Sequence, residues 1–169
     1  QMCIRDRSKG HEYLLTAFSM LRGHRPSIRL ICYGDDPIGF KRELNKLARR
    51  LLISEFVSLL DFESNLDKIF KNADALVQPS QGYESFGYVL LEGMAYKKPG
   101  LCTNVGGMIE VVEDNVSGLV ADAKDPANMA SNILKIASDT SLRLSLIKNG
   151  SERLRTLFTA DVMSKKYLN

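Results

Sequence analysis

The sequence has no tryptophan, only three cysteines and only two histidines among its 169 residues. Cys3, Cys32 and Cys102 are scattered and odd in number, which argues against the disulfide framework of a small secreted domain. Cys32 and Cys102 lie in apolar runs, so we expect buried thiols in a reducing compartment. No spacing is typical of zinc ligands, and His11 and His24 are expected at the surface, so no metal site is predicted.

Long apolar runs and strong net charge are also missing. No apolar stretch approaches the length of about 20 residues that a membrane-spanning helix needs, and no secretory signal is visible. A net charge of +3 and an isoelectric point near 8.8 suit an anionic small ligand but are too weak to indicate nucleic acid. Most Lys and Arg residues are expected to be dispersed over helix faces. We expect a cytoplasmic location, with peripheral attachment to the cytoplasmic membrane face as the alternative.

What the sequence does contain is typical of one globular α/β domain. Hydrophobic residues make up 44% and charged residues 25% of the chain, and its length suffices for a buried core. Apolar runs predict strands at 27–34, 56–62, 74–79, 100–105 and 117–122. Helical periodicity predicts a first helix capped by Ser8 and ended by Gly23, and further helices at 38–52, 64–73, 86–97, 108–114, 125–138, 140–155 and 160–168. Ser64 and Asp67 resemble a capping box at the third of these helices.

Strands that alternate with helices predict a Rossmann-like α/β fold, a doubly wound parallel sheet with extra helices at its C-terminal end. Ligands of such sheets bind at the carboxyl ends of the strands. Four unusual segments fall there: 34–37, 61–62, 79–87 and 105–107. Residues 1–7 have neither a cap nor a helical period, so we expect a non-native or truncated leader followed by one domain over residues 8–169.

The segment PSQGYESFGYVLLEGMAYKKPG, residues 79–100, contains two glutamates, Glu84 and Glu92, at the ends of an E-x7-E pattern. Acidic residues are common in first helical turns without any ligand, so an isolated pair of this kind has a simple explanation. Glu92 differs because its neighbours are nearly all apolar. A buried charge is costly without partners, which favours a ligand or a polar network at Glu92.

The start of the predicted helix over 86–97 is suited to phosphate. If the helix begins near Phe86 or Gly87, the amides of Gly87, Tyr88 and Val89 point out of its N-terminus, where unpaired N–H groups and the helix dipole attract anions. Glu84 would project toward whatever these amides hold. A carboxylate at Glu92, about a turn and a half further on, could accept hydrogen bonds from a vicinal diol such as a ribose.

Three glycine-containing turns add weaker signals. Gly106-Gly107 allows a tight turn and close backbone access to a ligand, and an ordinary strand-to-helix turn explains it equally well. Lys9-Gly10 could supply a cation to a diphosphate, although a solvated lysine fits the same residues. Gly34 ends a predicted strand and could leave room for a base or a ribose.

Taken in order, these segments resemble the C-terminal, donor-binding domain of GT-B fold glycosyltransferases of family 4, the retaining glycosyl transferases group 1. The resemblance runs from about residue 8 to the end of the chain. It is specific in combination, although each piece is weak alone. The segments are Lys9-Gly10, Gly34-Asp35-Asp36-Pro37, Pro79-Ser80, Glu84-x-Phe-Gly-x4-Glu92, Pro99 and Gly106-Gly107-x-x-Glu110.

The resemblance implies a nucleotide-sugar site with no metal or other cofactor. Glu84 would contact the sugar hydroxyls at the reaction centre, and Lys9 would bind the diphosphate and offset charge on the leaving group; both are predicted catalytic residues. Glu92 would hold the ribose diol, and Gly34 would line the nucleotide pocket. The helix start that holds sugar and diphosphate would comprise Ser85, Phe86, Gly87, Tyr88 and Val89.

The chain departs from the family at two positions. The family usually has a strand ending in Gly-Arg shortly before Lys-Gly, and its arginine also grips the diphosphate. Here those positions fall in QMCIR, which has no Gly-Arg. Asp61 stands where the family often has glycine. We also expect the family's N-terminal domain, which supplies the acceptor site, to be missing from this chain.

The resemblance therefore implies a full-length parent that transfers a hexose from a nucleotide diphosphate sugar to an acceptor glycan, lipid or small molecule. Retention in this fold is attributed to a front-face mechanism, in which the donor phosphate helps to deprotonate the acceptor. This chain alone is expected to bind nucleotide weakly and to transfer nothing. The alternatives are a relative such as a nucleotide-sugar 2-epimerase, a non-catalytic nucleotide-sugar-binding module, and a Rossmann-like domain without a ligand.

Overall fold

The computed structural model describes residues 7–23, 27–82, 84–160, 162 and 164. Short 3-10 helices cover Arg7–Lys9 and Ser54–Phe56. The longer elements alternate as predicted, and the strands are shorter than predicted at both ends, except for the fourth, which begins at residue 100 as predicted. In chain order they are α1 (His11–Leu21), β1 (Leu30–Tyr33), α2 (Phe40–Arg50), β2 (Val57–Leu60), α3 (Leu66–Lys71), β3 (Leu76–Gln78), α4 (Tyr88–Ala95), β4 (Gly100–Thr103), α5 (Met108–Val111), β5 (Leu119–Ala121), α6 (Pro126–Ser138) and α7 (Thr140–Leu157).

All strand pairs among these elements are parallel. β1 pairs with β2, with Cys32 opposite Leu59. β4 lies between β3 and β5, so that Leu101 is opposite Val77 on one side and Leu119 on the other. Among the described strands, no ladder of hydrogen bonds joins β1 to β3. The parallel strands and their crossover helices confirm the predicted Rossmann-like α/β class.

Helices cover both faces of the β3–β4–β5 group. Successive side chains of a strand point to opposite faces, and here Leu101 joins one apolar cluster while Cys102 joins another. Buried residues of α1, α2 and α6 belong to the first cluster. Those of α4 and α5 form the second cluster, against which Leu154 and Phe158 pack from the C-terminal end. The core therefore has two layers, one on each face of the sheet.

Two predicted helix caps are wrong. α1 begins after Gly10, whose φ of 73° turns the chain into the helix, and Ser8 lies in the preceding 3-10 helix. The cap of α3 is Asn65, which accepts a hydrogen bond from the Lys68 amide at 3.1 Å, so Ser64 does not form the predicted capping box. By contrast, the prediction for α6 is confirmed, since Asp125 caps it.

Some predictions fall outside the described residues. Most of the leader, His24, and most of the helix at 160–168 lie there. His11, the other histidine, is the first residue of α1 and is half-buried rather than exposed. Cys32 and Cys102 are buried free thiols, as predicted. Burial raises the pKa of the Cys102 thiol to about 12, which keeps it protonated and unreactive at neutral pH.

Candidate functional site

The predicted site segments lie at the carboxyl ends of the strands. Gly34 directly follows β1, residues 79–87 connect β3 to α4, and Gly106-Gly107 connects β4 to α5. Lys9 reaches this edge from the 3-10 helix that precedes α1. The topology thus brings together residues that are up to about a hundred positions apart in the sequence, as parallel sheets do at their ligand-binding edge.

Lys9 and Glu84 form an ion pair at this edge. The Lys9 ammonium lies 2.9 Å from Oε2 of Glu84. Their side chains are 29% and 12% exposed, so both are largely shielded from solvent. An ion pair so placed is less screened than one on an open surface. The two predicted catalytic residues therefore lie in direct contact.

Two neutral side chains also bind the Glu84 carboxylate. Gln78 Nε2 donates to Glu84 Oε2 at 3.2 Å, and the Ser80 hydroxyl donates to the same oxygen at 3.2 Å. With Lys9, three donors converge on Oε2. No described residue donates a hydrogen bond to Oε1. One carboxylate oxygen is thus held in place, and the other is left available to a ligand hydroxyl.

Sequence reasoning did not assign a role to Gln78 or to Ser80. The available signal was a polar residue, Gln78, at the end of an otherwise apolar strand, on the edge where ligands bind. Ser80 is fully buried, and its carbonyl accepts a hydrogen bond from the buried Thr103 hydroxyl at the end of β4. This hydrogen bond fixes Ser80 to the neighbouring strand β4. Ser80 in turn helps to orient Glu84.

Gly106 and Gly107 allow the chain to pack against the Glu84 backbone. A Cβ on Gly106 would lie 1.9 Å from the Glu84 carbonyl oxygen, and a Cβ on Gly107 would lie 2.3 Å from that of Ser85. The Gly107 amide donates to the Glu84 carbonyl at 3.0 Å. The predicted close backbone approach is present. The backbone that these glycines approach is the segment around Glu84, and the contact helps to fix the position of that segment.

The loop that carries Lys9 is fixed in the same way. A Cβ on Gly10 would lie 1.8 Å from the carbonyl oxygen of Pro79. The amides of Gln81 and Gly82 both donate to the Ser8 carbonyl, at 2.6 and 3.3 Å. Backbone contacts on each side therefore place Lys9 against the segment that contains Glu84.

The start of α4 has open amides, as the sequence predicted. The helix is entered through Gly87 at a φ of 80°, a backbone conformation that favours glycine, and no side chain caps it. The Leu90 amide donates to the Gly87 carbonyl. No described residue accepts a hydrogen bond from the amides of Gly87, Tyr88 or Val89. These N–H groups can bind an anion beside the Lys9–Glu84 pair.

Aromatic side chains at this helix start connect it to the second apolar cluster. The Phe86 ring lies 5.0 Å from that of Tyr88 and 5.8 Å from that of Phe158, which follows α7. Nearby, Arg153 of α7 donates to the carbonyls of Val111 and Glu110, both at 2.9 Å. These contacts attach α7 to α5 and to the segment that leads into α4.

Glu92 is a half-buried carboxylate on α4. Burial raises its pKa above the ordinary value, because the ionised form loses hydration. No described residue donates a hydrogen bond to its side chain. It does not contact Lys9 or Glu84, and so it forms a second polar position on the same helix. Such a group accepts a hydrogen bond from a ligand without first breaking one.

Gly34 and Asp61 have local structural roles at the β1–β2 end of the edge. The Gly34 amide donates to the Leu60 carbonyl at 3.2 Å, and no described contact joins Gly34 to Glu84 or Glu92. Asp61, the residue that departs from the family pattern, accepts from Lys41 of α2 at 2.8 Å.

In the described part of the chain, no group of three His, Cys, Asp or Glu side chains is placed to hold a metal ion. No helix there has the length and apolarity to cross a bilayer.

Comparison with known sequences identifies relatives along almost the whole chain. The family described as Glycosyl transferases group 1 matches residues 5–153. An uncharacterised glycosyltransferase of Methanocaldococcus jannaschii is 30% identical over 164 residues, which cover 95% of this chain and 41% of the relative. A D-inositol 3-phosphate glycosyltransferase of Salinispora arenicola is 32% identical over 162 residues, covering 90% of this chain and 36% of the relative. The chain thus spans less than half the length of these relatives.

Solved structures share the fold. The sucrose-phosphate synthase of Thermosynechococcus elongatus superposes with a TM-score of 0.85 at 28% identity, over 96% of this chain and 42% of that protein. Anabaena HepE, solved with UDP and glucose, gives a TM-score of 0.90 at 23% identity, over 99% and 46%. The C-terminal domain of a group 1 glycosyl transferase from Francisella tularensis gives 0.81 at 22% identity, over 93% and 83%.

The matched residues include Lys9, Glu84, Glu92 and the turns at Gly34 and Gly106. This chain covers most of the separately solved C-terminal domain from Francisella tularensis. It covers less than half of each of the two longer proteins. The chain therefore belongs to the family of glycosyl transferases group 1, and its fold is that of the C-terminal half of a GT-B glycosyltransferase.

Proposed function

We propose that this chain is the donor-binding part of a retaining glycosyltransferase that moves a hexose from a nucleotide diphosphate sugar to an acceptor. The observation that carries the proposal is the contact of Lys9 with Glu84 beside the uncapped start of α4. Cation, carboxylate and open amides are the three groups that a sugar diphosphate needs. They converge at the edge of the sheet where such folds bind ligands.

Each group has a role that its surroundings support. The amides of Gly87, Tyr88 and Val89 and the Lys9 ammonium would hold the diphosphate and offset the negative charge that develops on the leaving group. The open Oε1 of Glu84 would accept from a sugar hydroxyl. These assignments require no metal ion, because Lys9 and the helix start supply the positive potential.

Glu92 and Gly34 complete the proposed nucleotide site. Glu92 would accept hydrogen bonds from the ribose diol, which gives its buried charge the partner that the described residues do not supply. Gly34 would line the nucleotide pocket, and Ser85 and Phe86 would border the sugar and diphosphate. Anabaena HepE, which has the same fold, was solved with UDP and with UDP-glucose, which supports a nucleotide sugar as ligand.

The acceptor is proposed to bind outside this chain. The relatives are more than twice as long, and one of them is named for transfer to D-inositol 3-phosphate. A glycan, a lipid or a small molecule is therefore the proposed acceptor class. We propose that the donor phosphate assists deprotonation of the acceptor.

The binding proposal is tested by titrating the chain with uridine, guanosine and adenosine diphosphates. Glu92→Gln should lower the affinity for the tightest-binding of these nucleotides by about tenfold or more, because a hydrogen bond to a charged group is lost. Glu55→Gln is the matched control, since Glu55 is exposed in the 3-10 helix that precedes β2, at the opposite end of the strands. It should leave the affinity unchanged. Equal affinity of all three chains would contradict the ribose assignment.

The transfer proposal is tested on the longer parent protein. With a nucleotide sugar and an acceptor, the product should keep the anomeric configuration of the donor, as read by NMR coupling constants. An inverted product would contradict retention, and release of free epimerised sugar would favour the epimerase alternative. Neither result would alter the nucleotide titration, so the two proposals fail separately.

A further inference from the structure

The outer face of α2 concentrates positive charge. Along its 11 residues the helix has five cations, Lys41, Arg42, Lys46, Arg49 and Arg50, and one carboxylate, Glu43, a net charge of +4. The whole chain has a net charge of only +3. The prediction that most Lys and Arg residues are dispersed over helix faces therefore does not extend to α2, which carries five of the 23. The net charge of this helix exceeds that of the whole chain.

Most of these cations are not neutralised within the protein. Lys41 binds Asp61, and the carboxylate of Glu43 is already occupied by Arg7 at 2.7 Å. No carboxylate in the described residues forms an ion pair with Arg42, Lys46, Arg49 or Arg50. All four of these side chains belong to exposed residues. They form a surface of like charge that faces solvent.

The helix cannot turn this surface inward. Phe40, Leu44 and Ala48 lie on the opposite face and are almost fully buried in the core shared with α1 and α6. Their spacing of four residues places them along one stripe, and the cations occupy the rest of the circumference. The orientation of the charged face is thus set by the fold and needs no rearrangement on binding.

Two exposed aliphatic side chains flank this charged face. Ile38, just before α2, is 67% exposed, and Leu52, just after it, is 86% exposed. Ile38 lines a shallow cavity of about 620 Å³ together with Arg42 and Lys46. Leu52 has a φ of 57°, a conformation that side chains with a branch rarely adopt. The chain thus presents apolar groups at both ends of a cationic helix.

We propose that α2, with Ile38 and Leu52, is a docking surface for the anionic phospholipids of a membrane. A cationic helix face attracts acidic headgroups, and flanking aliphatic side chains can enter the boundary between headgroups and acyl chains. A nucleic acid would satisfy the cations as well, but its phosphate backbone offers nothing to Ile38 and Leu52. The surface does not include Lys9, Glu84 or Glu92, so this inference does not rest on the donor site.

The test is co-sedimentation of the chain with vesicles of phosphatidylglycerol and phosphatidylcholine in about a 1:2 ratio, and with phosphatidylcholine alone. Binding should require the anionic lipid and fall with added salt. Each cation near such a surface contributes about fivefold in binding, so the triple variant Arg42→Gln, Lys46→Gln, Arg49→Gln should bind about a hundredfold more weakly.

A second triple variant controls for net charge. Lys71→Gln, Lys97→Gln and Lys148→Gln remove the same charge from exposed residues elsewhere and should change binding by less than about threefold. Equal losses in the two triple variants would overturn the proposal, because binding would then depend on total charge alone. Circular dichroism and thermal melting establish that both variants are folded.

The aliphatic side chains separate a membrane from a nucleic acid. Ile38→Ser with Leu52→Asn should weaken vesicle binding by several fold, and asparagine suits the positive φ at position 52. Unchanged vesicle binding in this double variant would overturn the membrane assignment. Tighter binding to RNA or duplex DNA than to the vesicles, unaffected by the double variant, would also overturn it and identify a nucleic-acid surface.

Discussion

Replacing Gly106 with alanine tests whether the turn after β4 fixes the position of Glu84. The new Cβ would lie 1.9 Å from the Glu84 carbonyl oxygen and 3.2 Å from the Glu84 nitrogen. Both atoms belong to the backbone, so no side-chain rotation can relieve the overlap. Either the turn or the segment that contains Glu84 must move, and we expect the pairing of Glu84 with Lys9 to loosen.

The expected loss of stability in Gly106→Ala has two parts. Gly106 has a φ of 56°, and an alanine in this left-handed region costs about 1–2 kcal/mol. Forcing an additional carbon into a filled space costs typically about 1–3 kcal/mol more. The free energy of unfolding should therefore fall by about 2–5 kcal/mol, a large fraction of the stability of a domain of this size.

Gly39→Ala separates these two parts. Gly39 precedes α2 with a φ of 72°, and nothing lies within 4 Å of a Cβ built on it. This variant should therefore lose only the conformational part, about 1–2 kcal/mol. Urea unfolding of the three chains gives the stabilities, and titration with a nucleoside diphosphate and its sugar conjugate gives the effect on the site.

Ligand binding distinguishes the two variants more clearly than stability does. At a temperature where every chain is folded, Gly106→Ala should bind the nucleotide sugar more weakly, and Gly39→Ala should bind it like the unmodified chain. If both variants lose the same stability and keep the same affinity, the close approach of Gly106 to Glu84 does not position the carboxylate, and the reasoning is refuted.

Two further predictions concern the polar residues of the site. Burial raises the pKa of Glu92 above its ordinary value of 4.5, so the ionised carboxylate destabilises the free chain at neutral pH, and this penalty disappears as the pH falls through the raised pKa and below 4.5. Glu92→Gln should therefore be the more stable chain at pH 7 and equal to the unmodified chain below about pH 4 in urea unfolding; lower stability of the variant at pH 7 would contradict this. Ser80→Ala removes one donor to Glu84 Oε2, so it should lower the free energy of unfolding by about 1 kcal/mol. In calorimetric titration it should weaken binding of the nucleotide sugar more than binding of the nucleotide alone. Equal weakening of both ligands would show that Ser80 does not act through the carboxylate that faces the sugar.

Features encoded by neighbouring residues could be predicted from the sequence. Asp125 and Pro126 are adjacent signals of a helix start, and α6 begins as they indicate. The alternation of apolar runs with periodic segments likewise gave the α/β class and the order of the elements. The open amides at Gly87 followed from a glycine before a helix without a capping side chain. In each case the cause lies within a few residues of the effect.

Features that depend on distant parts of the chain could not be predicted in full. The Ser8 cap was wrong because the chain bends at Gly10, which packs against Pro79 about seventy positions away. The roles of Gln78 and Ser80 arise only when the loop brings Glu84 back over the end of β3. The glycines after β4 signalled a close approach, and the sequence could not show that the partner is the backbone around Glu84.

The contact between Lys9 and Glu84 has a consequence for how a ligand enters. While the ammonium and the carboxylate are in contact, their charges offset each other. A diphosphate that draws Lys9 away would leave Glu84 with two neutral donors, Gln78 and Ser80, which do not compete for the phosphates. The carboxylate would then stay oriented with its charge restored toward the sugar. Under the proposed function, ligand binding would thus convert a neutral ion pair into a cation on the diphosphate and a carboxylate held by two neutral donors.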